Sequence, residues 1–321
     1  MQTAYITALY DLMARDERVC SLLSDSGTDY DRLLARDFLE RCYNFGIAEA
    51  LQVSAASGMA AMGKIPFVYT TGAFLAYRAY EFIRDDVCLP RRNVKLVGIG
   101  MGTGMGQWST LGPSHHTTED IAALRALPNL TLLSASTPRQ LAAMVSLAVR
   151  IPGPVYIRMG MAGESEFYPE NYVFRPEVPE LILPGEDYVV FSTGTILEEV
   201  YEAVQTIRGQ GLSVALWDVP TLKPFPGGEI LSALDGKIRS FTVEEHSVTG
   251  GLGSAVAEVL VASGVRIPLK CFGLRNTFAE GYGTTKEVRQ LNGLDSRCLT
   301  TKLFAGIKLP NLDLEDPTSQ F

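Results

Sequence analysis

The stretch IPFVYTTGAFLAYRAYEFIRDDVCLPRRNVKLVGIG, residues 65–100, sets the fold class. It opens on a short apolar run, IPFVYT at 65–70, crosses a segment with helical spacing, and closes on a second apolar run, VKLVGIG at 94–100. Short strands that are apolar along their whole length and alternate with helices belong to a parallel sheet covered on both faces. LTLLSAS at 130–136 and PVYIR at 154–158 continue the alternation. Further on, YVVFSTG, the helix-like TILEEVYEAVQTIRGQG, LSVALWDV, KIRSFTVEEH, GSAVAEVLVASG and PLKCFG repeat it, which predicts a second α/β unit with its own parallel sheet. Between Arg150 and Gly185, six prolines and a run of acids break any element period, so a linker is placed there. The expected architecture is α/β: two consecutive three-layer α/β/α domains with mainly parallel sheets, at residues 1–165 and 186–308. A linker at 166–185 joins them, and a tail at 309–321 without any period follows.

Composition narrows the function. The chain has 321 residues, 46% of them hydrophobic and 20% charged, as in a soluble globular protein with a full core. Thirty-six acidic against 28 basic residues give a net charge of -8, and no basic run is long enough to follow a phosphate backbone. Nucleic-acid and membrane-surface partners are thereby disfavoured. No run of 18 apolar residues exists and Asp11 already charges the amino terminus, so neither a spanning helix nor a secretory signal is expected and the chain reads as cytoplasmic. The closest of the five cysteines, Cys20 and Cys42, are 22 positions apart, which excludes a CxxC pair; an odd count suits a reducing compartment.

From Cys42 to Gly63 the sequence reads CYNFGIAEALQVSAASGMAAMG, with Glu49 its one charge. A helix from about Ile47 to Met62 would be apolar or small-sided all round, and therefore buried. A carboxylate there is desolvated and needs a partner, yet no Lys or Arg lies within seven residues. The plain alternative is a first-turn glutamate favoured by the helix dipole. Phe74, Tyr77, Arg78 and Tyr80 line one helical face after Gly72, a surface that suits a flat ring and equally an ordinary core stripe. In VGIGMGTGMGQWS, five glycines alternate from Gly98 to Gly106, but the spacing never gives GxGxxG; this reads as a loop walling a site, not a dinucleotide fold.

The three histidines are His115 and His116 in LGPSHHTTED and His246 in VEEHSVTGGLG. Adjacent histidines ligate one metal poorly, and Glu119 and Asp120 more naturally begin a helix capped by Thr117 or Thr118. A histidine beside Gly-Pro-Ser at a strand mouth suits hydrogen bonding to a polar ligand or proton exchange. GxSxG, Walker and HExxH motifs are all absent, so an enzyme built on this chain needs a cofactor for the hard chemistry.

RCYNFGIAEA, the TTGAF helix, GPSHHTTEDIAALRALPNL and TVEEHSVTGGLGSAVAEVL stand in the order and spacing of the carboxyl-terminal half of transketolases. The resemblance runs from about Val19 to Thr300. The chain looks like the C-terminal subunit of a split transketolase, with a pyrimidine-binding domain followed by a transketolase C-terminal domain. The resemblance implies thiamine diphosphate bound between two chains, the aminopyrimidine on this kind of domain. The diphosphate and Mg2+ (or Ca2+) would be held mainly by an N-terminal subunit carrying a GDG motif that is absent here. It further implies an α2β2 heterotetramer with a self-associating dimer core, and no metal ligand in this chain.

By the same resemblance, Glu49 is the catalytic glutamate that hydrogen-bonds the pyrimidine N1′ and promotes imino tautomerisation. Phe74 stacks on the pyrimidine, and Tyr77, Arg78 and Tyr80 surround it. His115 contacts the donor's oxygens, and Asp25, His116 and Leu111 fall in the substrate cavity. Arg158 lies near a substrate-phosphate arginine. One departure bears on substrate. Transketolases typically read DGPTH or DGATH, and here Leu111 replaces the aspartate that contacts a sugar hydroxyl. Leaving that hydroxyl unpaired costs about 1–3 kcal/mol. The expected activity is therefore transfer of a two-carbon ketol or acyl unit from a ketose or 2-oxo acid donor, in specialised metabolism. Two rivals remain at this point: the beta subunit of a 2-oxo acid dehydrogenase decarboxylase, which carries a different motif at GPSHHTTED, and a non-catalytic assembly or regulatory subunit.

Overall fold

The computed structural model describes residues 1–25, 29–100, 111–161 and 164–308; most of the glycine-rich loop and the whole of the 309–321 tail lie outside them. The first unit runs α1 (Gln2–Arg15), β1 (Val19–Leu23), α2 (Asp29–Phe38), β2 (Cys42–Asn44), α3 (Glu49–Ala61), β3 (Ile65–Thr71), α4 (Tyr80–Phe82, inside a helical segment whose flanks Phe74–Arg78 and Ile83–Cys88 are π-helical), β4 (Lys95–Ile99), α5 (Asp120–Arg125), β5 (Thr131–Ser134), α6 (Pro138–Ala148) and β6 (Val155–Met159). The second runs β7 (Glu180–Leu183), β8 (Tyr188–Thr193), α7 (Leu197–Arg208), β9 (Val214–Asp218), β10 (Thr221–Lys223), α8 (Gly227–Leu234), β11 (Arg239–Ser247), α9 (Leu252–Ser263), β12 (Leu269–Leu274), α10 (Thr285–Leu291) and α11 (Ser296–Lys308).

Two sheets result, a seven-stranded one in the order β10-β5-β6-β4-β3-β1-β2 and a five-stranded one in the order β12-β11-β8-β9-β7. Pairing is parallel except at one edge of each, where β10 meets β5 and β7 meets β9 antiparallel. β1, β3, β4 and β6 are buried at every residue, as strands covered on both faces must be. The α/β reading with mainly parallel sheets therefore holds.

Two expectations need correction. The 166–185 segment is no loose linker. Its residues Glu180–Leu183 form the edge strand β7, and Pro179 and Pro184 flank it, which hid the strand's period and suits an edge position. Tyr168 anchors the same segment: its hydroxyl donates to Asp218 Oδ2 at 2.6 Å, and that buried carboxylate also accepts from Ser136 Oγ (2.7 Å) and Gln140 Nε2 (2.9 Å). Burial pushes Asp218 up to about 6. The second correction concerns α3, which is not buried all round. Glu49, Gln52, Val53, Ala56 and Ser57 face inward, while Leu51 and the flanking Ile47 and Met62 are 59%, 74% and 85% exposed.

The two units share a core. Val189, Phe191, Ile230, Leu252 and Val256 of the second pack in one cluster with Leu22, Val68, Leu96, Leu124 and Tyr156 of the first.

Candidate functional site

Parallel α/β sheets bind ligands outside the carboxyl ends of their strands, where the chain order reverses. Here that place lies between β1 and β3, because β1 is flanked by β2 on one side and β3 on the other. Ser24 and Asp25 leave β1 at this end; Asp25 is exposed, and Ser24 Oγ donates to Gln52 Oε1 at 2.7 Å. Gln52 Nε2 in turn donates to the Leu22 carbonyl at 2.8 Å, pinning the first turn of α3 to β1. This pinning fixes Glu49, the first residue of α3.

Glu49 is 2% exposed, and the cation that the local sequence lacks comes from a distance: Arg78 Nη1 donates to Glu49 Oε2 at 2.6 Å. Arg78 closes the π-helical turn that follows β3, a distortion common at functional sites. Its guanidinium lies 4.6 Å over the Phe74 ring, and its side chain is 46% exposed. Phe74 meets His115 edge-on at 5.0 Å. The His115 Nδ1 pairs with Ser114 Oγ at 2.9 Å, and burial lowers its pKa below the ordinary histidine value, so the ring is neutral at pH 7. Glu49, Arg78, Phe74 and His115 thus form one continuous group assembled from three segments. Among the described residues, Glu49 Oε1 carries no hydrogen bond.

The other expected residues are placed differently. Tyr77 OH donates to Glu119 Oε2 and accepts from Glu119 N, both at 2.9 Å, and Tyr80 OH donates to the Ala123 carbonyl at 3.2 Å. Their hydroxyls hold the 74–88 helix to α5 and do not face Glu49. Leu111 is 39% exposed, and the following Gly112 (φ +72°) lies so close to the Tyr282 ring that any side chain there would collide with it. His116 is 2% exposed, whereas His115 is only partly buried. Arg158, expected at a substrate phosphate, is also 2% exposed. It donates from Nε to Asp120 Oδ2 (2.6 Å), from Nη1 to Ser134 Oγ (3.1 Å) and from Nη2 to the Thr117 carbonyl (3.3 Å). Tyr156 OH adds to Asp120 Oδ2 at 3.0 Å. The correction is physical: a guanidinium enclosed by a buried carboxylate is held as one half of an ion pair.

Neither Thr117 nor Thr118 caps α5; its N-cap is Glu119, without a side-chain bond to the first amides. Ser24 and Gln52, which hold α3 to β1, and Glu119, which holds Tyr77 at the start of α5, were not singled out as site residues in the sequence reading. Of these only Gln52, one turn beyond Glu49 in an otherwise apolar run, left a signal. Among the described residues no cluster of three or more His, Cys, Asp or Glu is placed to hold a metal.

These features define a two-domain α/β protein with a carboxylate-and-aromatic site at the carboxyl ends of its larger sheet. Residues 1–161 match the transketolase pyrimidine binding domain and residues 180–297 the transketolase C-terminal domain. The chain is 31% identical over 311 residues to a putative transketolase C-terminal section of Methanocaldococcus jannaschii, covering 96% of each. It is 31% identical over 261 residues to an apulose-4-phosphate transketolase subunit of Actinobacillus succinogenes, covering 81% of this chain and 83% of the relative. A solved split gene transketolase, described as an inactive β4 tetramer, superposes with a TM-score of 0.85 at 31% identity, over 96% of this chain and 98% of that one. The chain belongs to the transketolase family and corresponds to the C-terminal subunit of its split members.

Proposed function

We propose that this chain is the pyrimidine-binding subunit of a thiamine diphosphate-dependent, transketolase-like transferase that moves a two-carbon unit and works only with an N-terminal subunit carrying the GDG motif. The observation that carries the proposal is the Glu49–Arg78–Phe74–His115 group. The gap between the Glu49 carboxylate and the Phe74 ring already holds a flat, nitrogen-rich group, the Arg78 guanidinium, which donates to the carboxylate and stacks on the ring. An aminopyrimidine needs the same two contacts, so the residues fit it. The half-exposed Arg78 side chain has solvent to swing into when the ring takes its place.

Thiamine diphosphate supplies the nucleophilic carbon that accepts the two-carbon unit. Glu49 supplies a proton-exchanging carboxylate at the ring nitrogen, sheltered from water, where general acid–base help is most effective. Phe74 fixes the plane of the ring, and neutral His115 offers a hydrogen bond toward the substrate's oxygens. Mg2+ (or Ca2+) belongs in this reading to the partner subunit. The exposed apolar residues Ile47, Leu51 and Met62, spread along α3 and its ends, support burial of α3 against another subunit in an α2β2 assembly. The five free cysteines support a cytoplasmic setting, and no helix among the described residues is long and apolar enough to cross a membrane. The two sheets support two domains, the second beginning by β7 at Glu180, ahead of residue 186; Asp25 stays a candidate at the substrate mouth.

The test is transfer by the co-expressed pair, assayed with ketose phosphate and 2-oxo acid donors and several aldehyde acceptors, with thiamine diphosphate added or omitted. Cofactor-independent activity, or none with any donor, rejects the proposal. Leu111 gives a sharper expectation. Leu111→Asp restores the acid that pairs with a sugar hydroxyl and is expected to shift the specificity ratio toward hydroxylated acceptors by about tenfold, the low end of a 1–3 kcal/mol hydrogen-bond effect. An unchanged ratio removes Leu111 from the substrate channel.

A further inference from the structure

Helix α5 lacks a cap of its own. Its N-cap residue, Glu119, makes no side-chain bond to the helix, because Tyr77 and Thr118 engage its carboxylate. The second and third amides of a helix are the ones an N-cap side chain ordinarily serves. In α5 these are Ile121 N and Ala122 N, and both donate to Nε2 of His246, at 3.1 and 3.4 Å. His246 stands on β11, 125 positions further along the chain than Ile121.

The ring is fully committed to this task. Nδ1 donates to the Ser247 carbonyl at 2.6 Å, which leaves the Nε2 lone pair facing the helix. Burial pushes His246 down to about 4, although the carboxylates of Glu244 and Asp120 lie 3.6 and 3.9 Å away. At neutral pH the ring is therefore uncharged and Nε2 accepts. Two more bonds from the second unit fasten the same segment: Ser247 N donates to the Thr118 carbonyl at 2.7 Å, and Arg125 Nη1 donates to the Gly250 carbonyl at 2.9 Å. From the first unit, Arg158 holds Asp120.

His115 is four residues ahead of Glu119 on this segment. We propose that His246 is a positioning residue of the transferase: by capping α5 from the second domain, it sets where His115 stands against Phe74. The inference rests on the reading of His115 as a substrate-facing residue. Without the acceptor, two amides at a buried helix start lose their partner, and the segment relaxes to recover one. A displacement of about 1 Å at a substrate contact is enough to cost on the order of a hundredfold in rate.

His246→Phe keeps a ring and removes the acceptor, whereas His246→Gln places an amide oxygen near the Nε2 position. The full-length chain carries three histidines, so its ring signals can be followed singly by NMR in histidine-labelled protein. The expected result is that His115 signals and their titration midpoint move in His246→Phe and return in His246→Gln. In the complex with its N-terminal partner, His246→Phe is expected to lower kcat/KM by about 10- to 100-fold, His246→Gln to recover most of it, and His246→Phe to cost nothing further when combined with His115→Ala. Should His246→Phe not fold, His246→Asn, whose amide falls short of Ile121, takes its place. Unmoved His115 signals in a folded variant, or losses that add in the double variant, overturn the proposal. Full activity of His115→Ala alone overturns the assignment of His115 to the substrate, and the NMR shifts then still decide whether His246 places that ring.

Discussion

Replacing Glu49 by Gln in the assembled enzyme is expected to lower turnover by about 10² to 10⁴, the contribution of a positioned general acid–base group, while the subunit stays folded. Volume and hydrogen-bonding capacity are kept, while the carboxylate's charge and the proton it can exchange are lost. Glu49 is 2% exposed at the start of α3, with one oxygen held by Arg78 and the other without a hydrogen bond among the described residues. A carboxylate whose role was to anchor α3 would tolerate the amide, because Gln also accepts from Arg78. Exchange of the cofactor's C2 proton, followed by quenched-flow NMR, isolates the step proposed for Glu49. Wild-type exchange rates in Glu49→Gln would falsify the mechanism and leave Glu49 a helix residue paired with Arg78.

The second large effect is expected from omitting the partner. The purified chain should show no transferase activity and no saturable uptake of thiamine diphosphate at concentrations that fill the two-subunit complex, and adding an N-terminal subunit should restore both. The reason is electrostatic. A diphosphate needs cations or a metal, while this chain has a net charge of -8, lacks the GDG motif, and among the described residues offers no metal-binding cluster. Titration calorimetry with Mg2+ present and absent decides the matter. Tight, Mg2+-dependent binding to the chain alone would place the diphosphate site here and end the split-subunit reading.

Much of this was legible in the residue order because buried parallel strands advertise themselves. Runs such as VKLVGIG and YVVFSTG are apolar enough to read as buried strands, so eight of the twelve described strands and their alternation with helices were plain, whereas β1, β2, β7 and β10 were not. Glu49 stood out for the same reason, as a charge in an apolar run. What stayed hidden were pairings across long separations. Arg78 reaches Glu49 from 29 positions away, and His246 reaches Ile121 from 125. Local pattern carries no trace of either. For Arg158, which the resemblance placed near a substrate phosphate, the buried Asp120 that holds it is likewise a long-range partner that local pattern does not show. The exposed side of α3 misled because composition alone does not distinguish a helix buried on every side from one that leaves an apolar stripe exposed.

The short strand β10 has a bearing on how the protein is made. Residues 221–223 come from the second unit yet close the edge of the first unit's sheet, Thr221 opposite Leu133. A ribosome that has released only residues 1–165 has therefore exposed a sheet whose β5 rim is bare, with unpaired backbone groups ready to recruit a strand from a neighbouring chain. The amino-terminal domain produced as a fragment ending at residue 165 should aggregate, and the same fragment should become soluble when the remaining residues are supplied as a second polypeptide during synthesis.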